Sequence, residues 1–385
     1  MEDRKPCQKT PCHDCDRFAA WYLLTGDEAE ARSKAEDLCL EQTVECPQEI
    51  LPAGFIPDQV VGRLETFLRT DSGAHRALVS FLDEVTGDEL PQLLNVLYGN
   101  ISLKQGFRLD RLRDCFPFWK RFKGPRFGRA GLRALLGVPS RPLLSTAIKP
   151  MGLSPDQLAQ LAGRFAAGGI DLIKDDHGLG NQPFAAFVER AERCAEAVRK
   201  GSAQTGRKAL YAPNVTSPAN EVGKRARFAK QLGAGALLVC PGITGFDAMR
   251  TLADDDTLQL PIVAHPSFLG SFVTSPDNGI SHFALFGQLM RLAGADAVIF
   301  PHAGGRFGFS PEDCRAIADG TQAPLGELQS IFPAPGGGMS LERIPELREF
   351  YGSEVIFLVG GDLLRNGAEI EKSCERYRKM VTSAV

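Results

Sequence analysis

No stretch of the 385-residue chain approaches the roughly 18 uninterrupted apolar residues that a membrane span requires. The first residues, MEDRKPCQKTPCHDCDRF, lack the apolar core of a secretory leader. Neither sign of charge dominates: 44 Lys and Arg stand against 47 Asp and Glu, and the densest basic run is KRARFAK. These absences argue against nucleic acid and anionic membrane as partners and make a cytoplasmic protein the expectation. A zinc pattern is also lacking. Cys7, Cys12, Cys15 and His13 crowd the N-terminus, but their spacing fits no common zinc motif and no second ligand pair follows. Residues 1–16 therefore read as a disordered, thiol-bearing tail. The remaining cysteines, some in apolar runs such as LLVCP, read as reduced packing residues. What is present, 43% hydrophobic and 24% charged residues, is ordinary for a soluble globular chain of about two domains.

The period of the sequence divides the chain. Over residues 17–135 the segments AAWYLLTG, QVVGRLETFLR, AHRALVSFLDEV and FRLDRLRDCF read as strands, and DEAEARSKAEDLCL and GDELPQLLNVLYGN as helices. The order β-α-β-β-α-β is that of a ferredoxin-like α+β domain. Over residues 141–385 eight short apolar runs alternate with amphipathic stretches: LLSTAIKP, DLIKDD, ALYAPNV, ALLVCP, PIVAHP, AVIFPHA, SIFPAPGGG and VIFLVGGD. Count and length predict a (β/α)8 TIM barrel. A doubly wound sheet would carry a glycine fingerprint after its first strand, and that strand ends in Lys-Pro-Met.

Barrel chemistry gathers at the C-terminal strand ends. Those ends carry Lys149, Lys174-Asp175-Asp176-His177, Asn214, His265, His302, Gly336-Gly337-Gly338 and Gly360-Gly361-Asp362. Residues two apart on a strand share a face, so Lys174 and Asp176 point together and Asp175 points away. Asp176 and His177 are candidate metal ligands, a carboxylate and an imidazole that suit Mg, Mn or Zn. Gly337, Gly338, Gly360 and Gly361 are candidate phosphate-binding positions, because glycine backbone after the seventh and eighth strands can approach an oxyanion closely. The set predicts proton abstraction beside the carbonyl of a phosphorylated substrate.

The motifs STAIKPMGLS, GGIDLIKDDHGLGNQPF, KGPRFGRAGLRALLG, AHPSF…GISHFAL and LYGN resemble ribulose-bisphosphate carboxylase large chains and, more closely, RuBisCO-like proteins. The resemblance runs from about Trp21 through the barrel. It implies a ferredoxin-like domain followed by a barrel, and a homodimer in which each N-terminal domain completes its partner's active site. It implies further that Lys149 is catalytic, that Lys174 binds Mg as a carbamate, that Asp176 is a metal ligand, and that His265 acts in the site. Asn100 would be given across the dimer, and Gly338, Gly360 and Gly361 would hold one phosphate. His177 stands where the family has a second acidic ligand, Met151 where it has a second lysine, and Pro266 and Gly336 where it has the arginine and serine of another phosphate grip. Arg306 corresponds only loosely to a loop lysine. Losing that grip removes charge-assisted hydrogen bonds worth roughly 1.5–3 kcal/mol each, so carboxylation of a bisphosphate is not expected. The resemblance implies an Mg-dependent enolising isomerase or lyase acting on a phosphorylated ketose or keto-acid, with 5-methylthioribulose-1-phosphate isomerisation the leading expectation. The alternatives are decarboxylation or carboxyl transfer on 3-oxo-isoapionate 4-phosphate, enolisation of 2,3-diketo-5-methylthiopentyl 1-phosphate, and non-catalytic sugar-phosphate binding.

Overall fold

In the computed structural model the described residues are 16–383 except 72, 116, 306 and 366. The cysteine-rich segment 1–15 and Arg306 thus lie outside them. The chain forms two compact units.

The first unit contains the described residues up to 122, with 275–281 and 324–327. Its elements follow the expected order: β1 (Arg17–Leu24), α1 (Glu28–Glu41), β2 (Arg63–Arg69), β3 (His75–Leu82), α2 (Leu90–Tyr98) and β4 (Phe107–Leu112). β1 lies antiparallel between β3 and β4, with β2 outside β3. A short strand from later in the chain, β10 (Gly279–Ile280), adds parallel to β4. One predicted strand is shorter than its apolar run. Ile56–Val60 is a π-helical turn with Pro57 in its first turn, and pairing begins only at Arg63. Pro57 has no N–H for a ladder, and Gly62 packs so closely that a Cβ there would lie 3.0 Å from Cys39 Cα.

The second unit is the barrel. Its strands are β5 (Leu143–Ile148), β6 (Leu172–Asp175), β7 (Leu210–Ala212), β8 (Leu237–Val239), β9 (Ile262–Ala264), β11 (Ala297–Pro301), β12 (Phe332–Gly336) and β13 (Ile356–Leu358). All eight fall within the predicted runs, and all pair in parallel in the order β7-β6-β5-β13-β12-β11-β9-β8. The ring closes between β7 and β8 through the Asn214–Leu238 bridge, with the N–H groups of Gly235 and Ala236 donating to Tyr211, that of Leu238 to Pro213 and that of Val215 to Leu238. β12 and β13 meet at one pair, Gly336 with Leu358.

The helix α3 (Gly128–Leu136) corrects the expected boundary at residue 135, because it belongs to the barrel unit. Its Leu132 and Leu136 are buried against Leu143, Leu172, Ala297, Phe332 and Ile356, near the starts of the strands. Burial of each leucine contributes about 1.5–3 kcal/mol. Asp296 fixes the helix start by accepting the N–H groups of Phe127 and Gly128 at 2.8 and 2.7 Å. The N-terminal mouth of the barrel is thus filled with hydrocarbon, which leaves the other mouth for polar chemistry.

Six of the seven described cysteines are buried and all seven are free, as expected of packing residues. Among the described residues no helix is long and apolar enough to cross a membrane.

Candidate active site

β6 shows how four residues build two layers. Leu172 faces the barrel interior and Ile173 the surrounding helices. Lys174 follows Leu172 inward, and Asp175 follows Ile173 outward. Lys174 is 2% exposed, and its Nζ donates to the Asp175 carbonyl at 3.0 Å. Burial, reinforced by the charge of Lys149 and opposed by Asp176 and other neighbours, brings the Lys174 ammonium down to about 8. A neutral amine, the form that adds CO2, is therefore accessible near physiological pH.

Asp175 is an anchor for the layer beneath. Its fully buried carboxylate accepts the Tyr211 hydroxyl at 2.6 Å, the Asn214 N–H at 2.9 Å and Arg190 Nε at 3.1 Å. Arg190, on α5 (Phe187–Thr205), also donates to the carbonyls of Gly180 and Ala185. The Asn214 amide donates to the carbonyls of His177 and Leu179. Every one of these bonds ends on or beneath the loop that follows Asp175, so the network fixes the backbone that presents Asp176 and His177.

Above it, the carboxylate of Asp176 lies 3.7 Å from His177 Nδ1. The His177 ring stacks on His265, centroids 4.2 Å apart and planes at 14°. His265 Nδ1 accepts the Ser267 N–H at 3.3 Å and contacts the Ser267 hydroxyl at 2.8 Å. A ring nitrogen that accepts an N–H is unprotonated, which assigns the remaining ring proton to Nε2. Burial, with Lys174 and His177 adding to it, pushes the His265 imidazolium down to about 2, so the ring is neutral.

Lys149 leaves β5 beside the eighth strand, and a Cβ on Gly360 would lie 3.1 Å from its Nζ. Gly337 and Gly338 take φ values of +85° and +67°, open to glycine and costly for other residues. Gly337 and Gly361 have nothing within 4 Å of an added Cβ. Gly336 is closed instead: a Cβ there would meet Leu358 Cδ2 at 2.9 Å, so a serine does not fit without displacing Leu358.

The structure brings Lys149, Lys174, Asp176, His177 and His265 together at the C-terminal strand ends, with Gly337, Gly338, Gly360 and Gly361 on the turns after the seventh and eighth strands. Asn100 lies in the first unit, its amide donating to Glu41 and Glu45 at 3.1 and 2.7 Å. His302 is 4% exposed and its Nδ1 meets the Tyr351 hydroxyl at 2.9 Å, so it is a packed histidine rather than a member of the cluster. Sequence reasoning missed Arg190, Ser267 and the role of Tyr211. Arg190 had a signal: it falls on the buried stripe Phe187, Ala191, Cys194, Val198 of α5, where an arginine needs a partner.

Among the described residues no group of three or more His, Cys, Asp and Glu side chains is arranged to hold a metal ion. Asp176 and His177 alone are a two-donor set, and a carbamate on Lys174 would make the third donor and add the oxygen that a hard cation prefers.

Comparison with known proteins agrees with this layout. The family model for the ribulose bisphosphate carboxylase large chain, catalytic domain, matches residues 128–366. A 5-methylthioribulose-1-phosphate isomerase from Rhodospirillum rubrum is 36% identical over 91% of this chain and 92% of its own length. A 2,3-diketo-5-methylthiopentyl-1-phosphate enolase from Geobacillus thermodenitrificans is 36% identical, covering 89% of this chain and 86% of its own. The crystal structure of a Rubisco-like protein from Rhodopseudomonas palustris superposes with a TM-score of 0.86 at 36% identity, over 95% of this chain and 97% of that one. With the catalytic-domain model matched across the barrel and relatives covered over nearly their whole length, the chain is a RuBisCO-like member of the ribulose bisphosphate carboxylase large-chain family.

Proposed function

We propose that the protein is an enolising isomerase of a phosphorylated ketose, with 5-methylthioribulose 1-phosphate as substrate. The observation that carries this reading is the convergence of two lysines, a carboxylate and a neutral imidazole beside one set of open glycine turns. The glycine turns suit a monophosphate. His265, neutral with its proton on Nε2, can donate a hydrogen bond to the substrate carbonyl as charge develops there. The Lys149 amine is the group left to take the proton from the neighbouring carbon and return it to the other carbon of the enediolate. Asp176, His177 and a carbamate on Lys174 fit a divalent ion such as Mg, which would supply Lewis-acid polarisation of the substrate oxygens. Asp176→Asn is expected to weaken metal binding at least about tenfold, as read by titrating activity with Mg. Full activity of the unmodified enzyme in a chelator would remove the metal from the reading.

The reading is tested by NMR in D2O with Mg, offering each candidate monophosphate separately. Deuterium beside the carbonyl of 5-methylthioribulose 1-phosphate, together with a new ketose, is the expected result. CO2 release from 3-oxo-isoapionate 4-phosphate without that exchange would replace the isomerase by a decarboxylase.

We infer that the working unit is a homodimer with Asn100 acting in the partner's site. Exposed apolar side chains on the segments after the barrel strands, Met151, Ile243, Phe268 and Phe307, support a mouth that another surface covers. Asn100→Ala and Lys174→Ala are each expected to be inactive alone. Mixed and reassociated, they should recover about a quarter of wild-type activity, since half the dimers are hybrids with one intact site each. No recovery, with hybrids demonstrated by mass, would place Asn100 in its own chain's site or outside catalysis.

A further inference from the structure

Arg343 sits where two glycine turns meet. The turn after β11 carries Gly304 (φ +75°) and Gly305, and the turn after β12 carries Gly337 and Gly338. They approach so closely that a Cβ on Gly338 would lie 3.3 Å from Gly305 Cα. Arg343 reaches both: its Nη1 lies 3.6 Å from the Cβ position of Gly338, and both Nη atoms lie 3.8 Å from that of Gly304. Its hydrogen bonds there are long, 3.3 Å to the Gly338 carbonyl and 3.5 Å to that of Ala303, while its Nε faces Glu346 at 3.6 Å. A guanidinium has five N–H donors, and bonds this long use two of them weakly. The backbone beside it is short of partners as well. Among the described residues no protein acceptor takes the N–H of Gly338 or Gly360, whereas the Gly336–Leu358 pair turns the Gly337 N–H toward the Leu358 carbonyl. Free N–H groups on turns with positive φ form the kind of concavity that holds an oxyanion, and a guanidinium at its rim adds a charge and paired donors matched to phosphate.

We propose that Arg343 grips the substrate's phosphate together with the N–H of Gly338, which makes it a determinant of affinity for phosphorylated substrates. This rests on reading those turns as the phosphate site of the proposed function. Arg343 is assigned to phosphate binding and not to proton transfer, so its removal should act mainly on substrate affinity.

The test compares wild type, Arg343→Gln and Arg343→Lys, titrated with inorganic phosphate by calorimetry and with the phosphorylated ketose by kinetics. Glutamine keeps a donor for the two carbonyls and loses the charge, which separates an anion grip from a loop staple. The glutamine variant is expected to bind phosphate about ten- to a hundredfold more weakly, the loss of one charge-assisted contact. KM for the ketose should rise in parallel, kcat should stay within about twofold, and lysine should restore part of the affinity. Phosphate binding by Arg343→Gln equal to wild type would overturn the role of Arg343 and leave the glycine site standing. Failure of wild type itself to bind phosphate would overturn the glycine site, and the role of Arg343 with it. Should the glutamine variant not fold, Arg343→Lys carries the comparison, and wild-type affinity with lysine would count against a bidentate grip.

Discussion

Arg190→Leu is expected to destabilise the protein by about 3–5 kcal/mol, because it leaves a buried carboxylate without its counter-charge. The Arg190 and Asp175 side chains have no exposure at all. The leucine would cover the space of the guanidinium stem, yet Asp175 would keep only the Tyr211 hydroxyl and the Asn214 N–H, both neutral donors. The carbonyls of Gly180 and Ala185 would also lose their donor. Equilibrium denaturation in urea measures the effect, and a change below about 1 kcal/mol would show that water or a rearranged donor replaces the arginine. The same substitution loosens the loop that presents Asp176 and His177, so activity should fade at temperatures where the barrel is still folded. Arg190→Lys is expected to recover only part of the loss, since one ammonium cannot span the carboxylate and two carbonyls.

Lys149→Met is expected to lower turnover by about 10²–10⁴ while leaving the fold intact, the range for loss of a group that moves a proton in the transition state. Methionine keeps the length and packing of the stem beside Gly360 and removes the amine. Deuterium exchange beside the substrate carbonyl is the direct readout, since it follows proton abstraction whatever happens to product. Exchange lost together with turnover identifies Lys149 as the base, whereas exchange retained with turnover lost would confine it to the reprotonation step. Unchanged turnover would take the lysine out of the mechanism and turn attention to the carbamate position.

The elements were legible in the sequence because each is a local pattern. Eight apolar runs, each a few residues long and each followed by an amphipathic stretch, leave little choice but a barrel, and the strands formed within those runs. The alternation of faces along β6 is itself enough to separate Lys174 from Asp175. The boundary at residue 135 failed for the opposite reason. α3 is an amphipathic helix whose pattern says that it covers something, and only the fold shows that it covers the bottom of the barrel. The supporting network was illegible on the same ground. Asp175 finds its partners 15, 36 and 39 residues away, in Arg190, Tyr211 and Asn214. Arg343 gives no local sign either, being one of several charges in a short helical segment until the turn after β11 folds back against it.

The barrel has one thin joint, the single pair between β12 and β13, and it borders the glycine half of the site. Gly336, which makes that joint, leads directly into the glycine turns. Parting it breaks few backbone bonds and leaves the hydrocarbon plug under α3 untouched, so it costs far less than unfolding the unit. Local opening is therefore expected first on the glycine side of the mouth, and amide hydrogen exchange should be faster there than around Leu238, where four backbone bonds join β7 to β8.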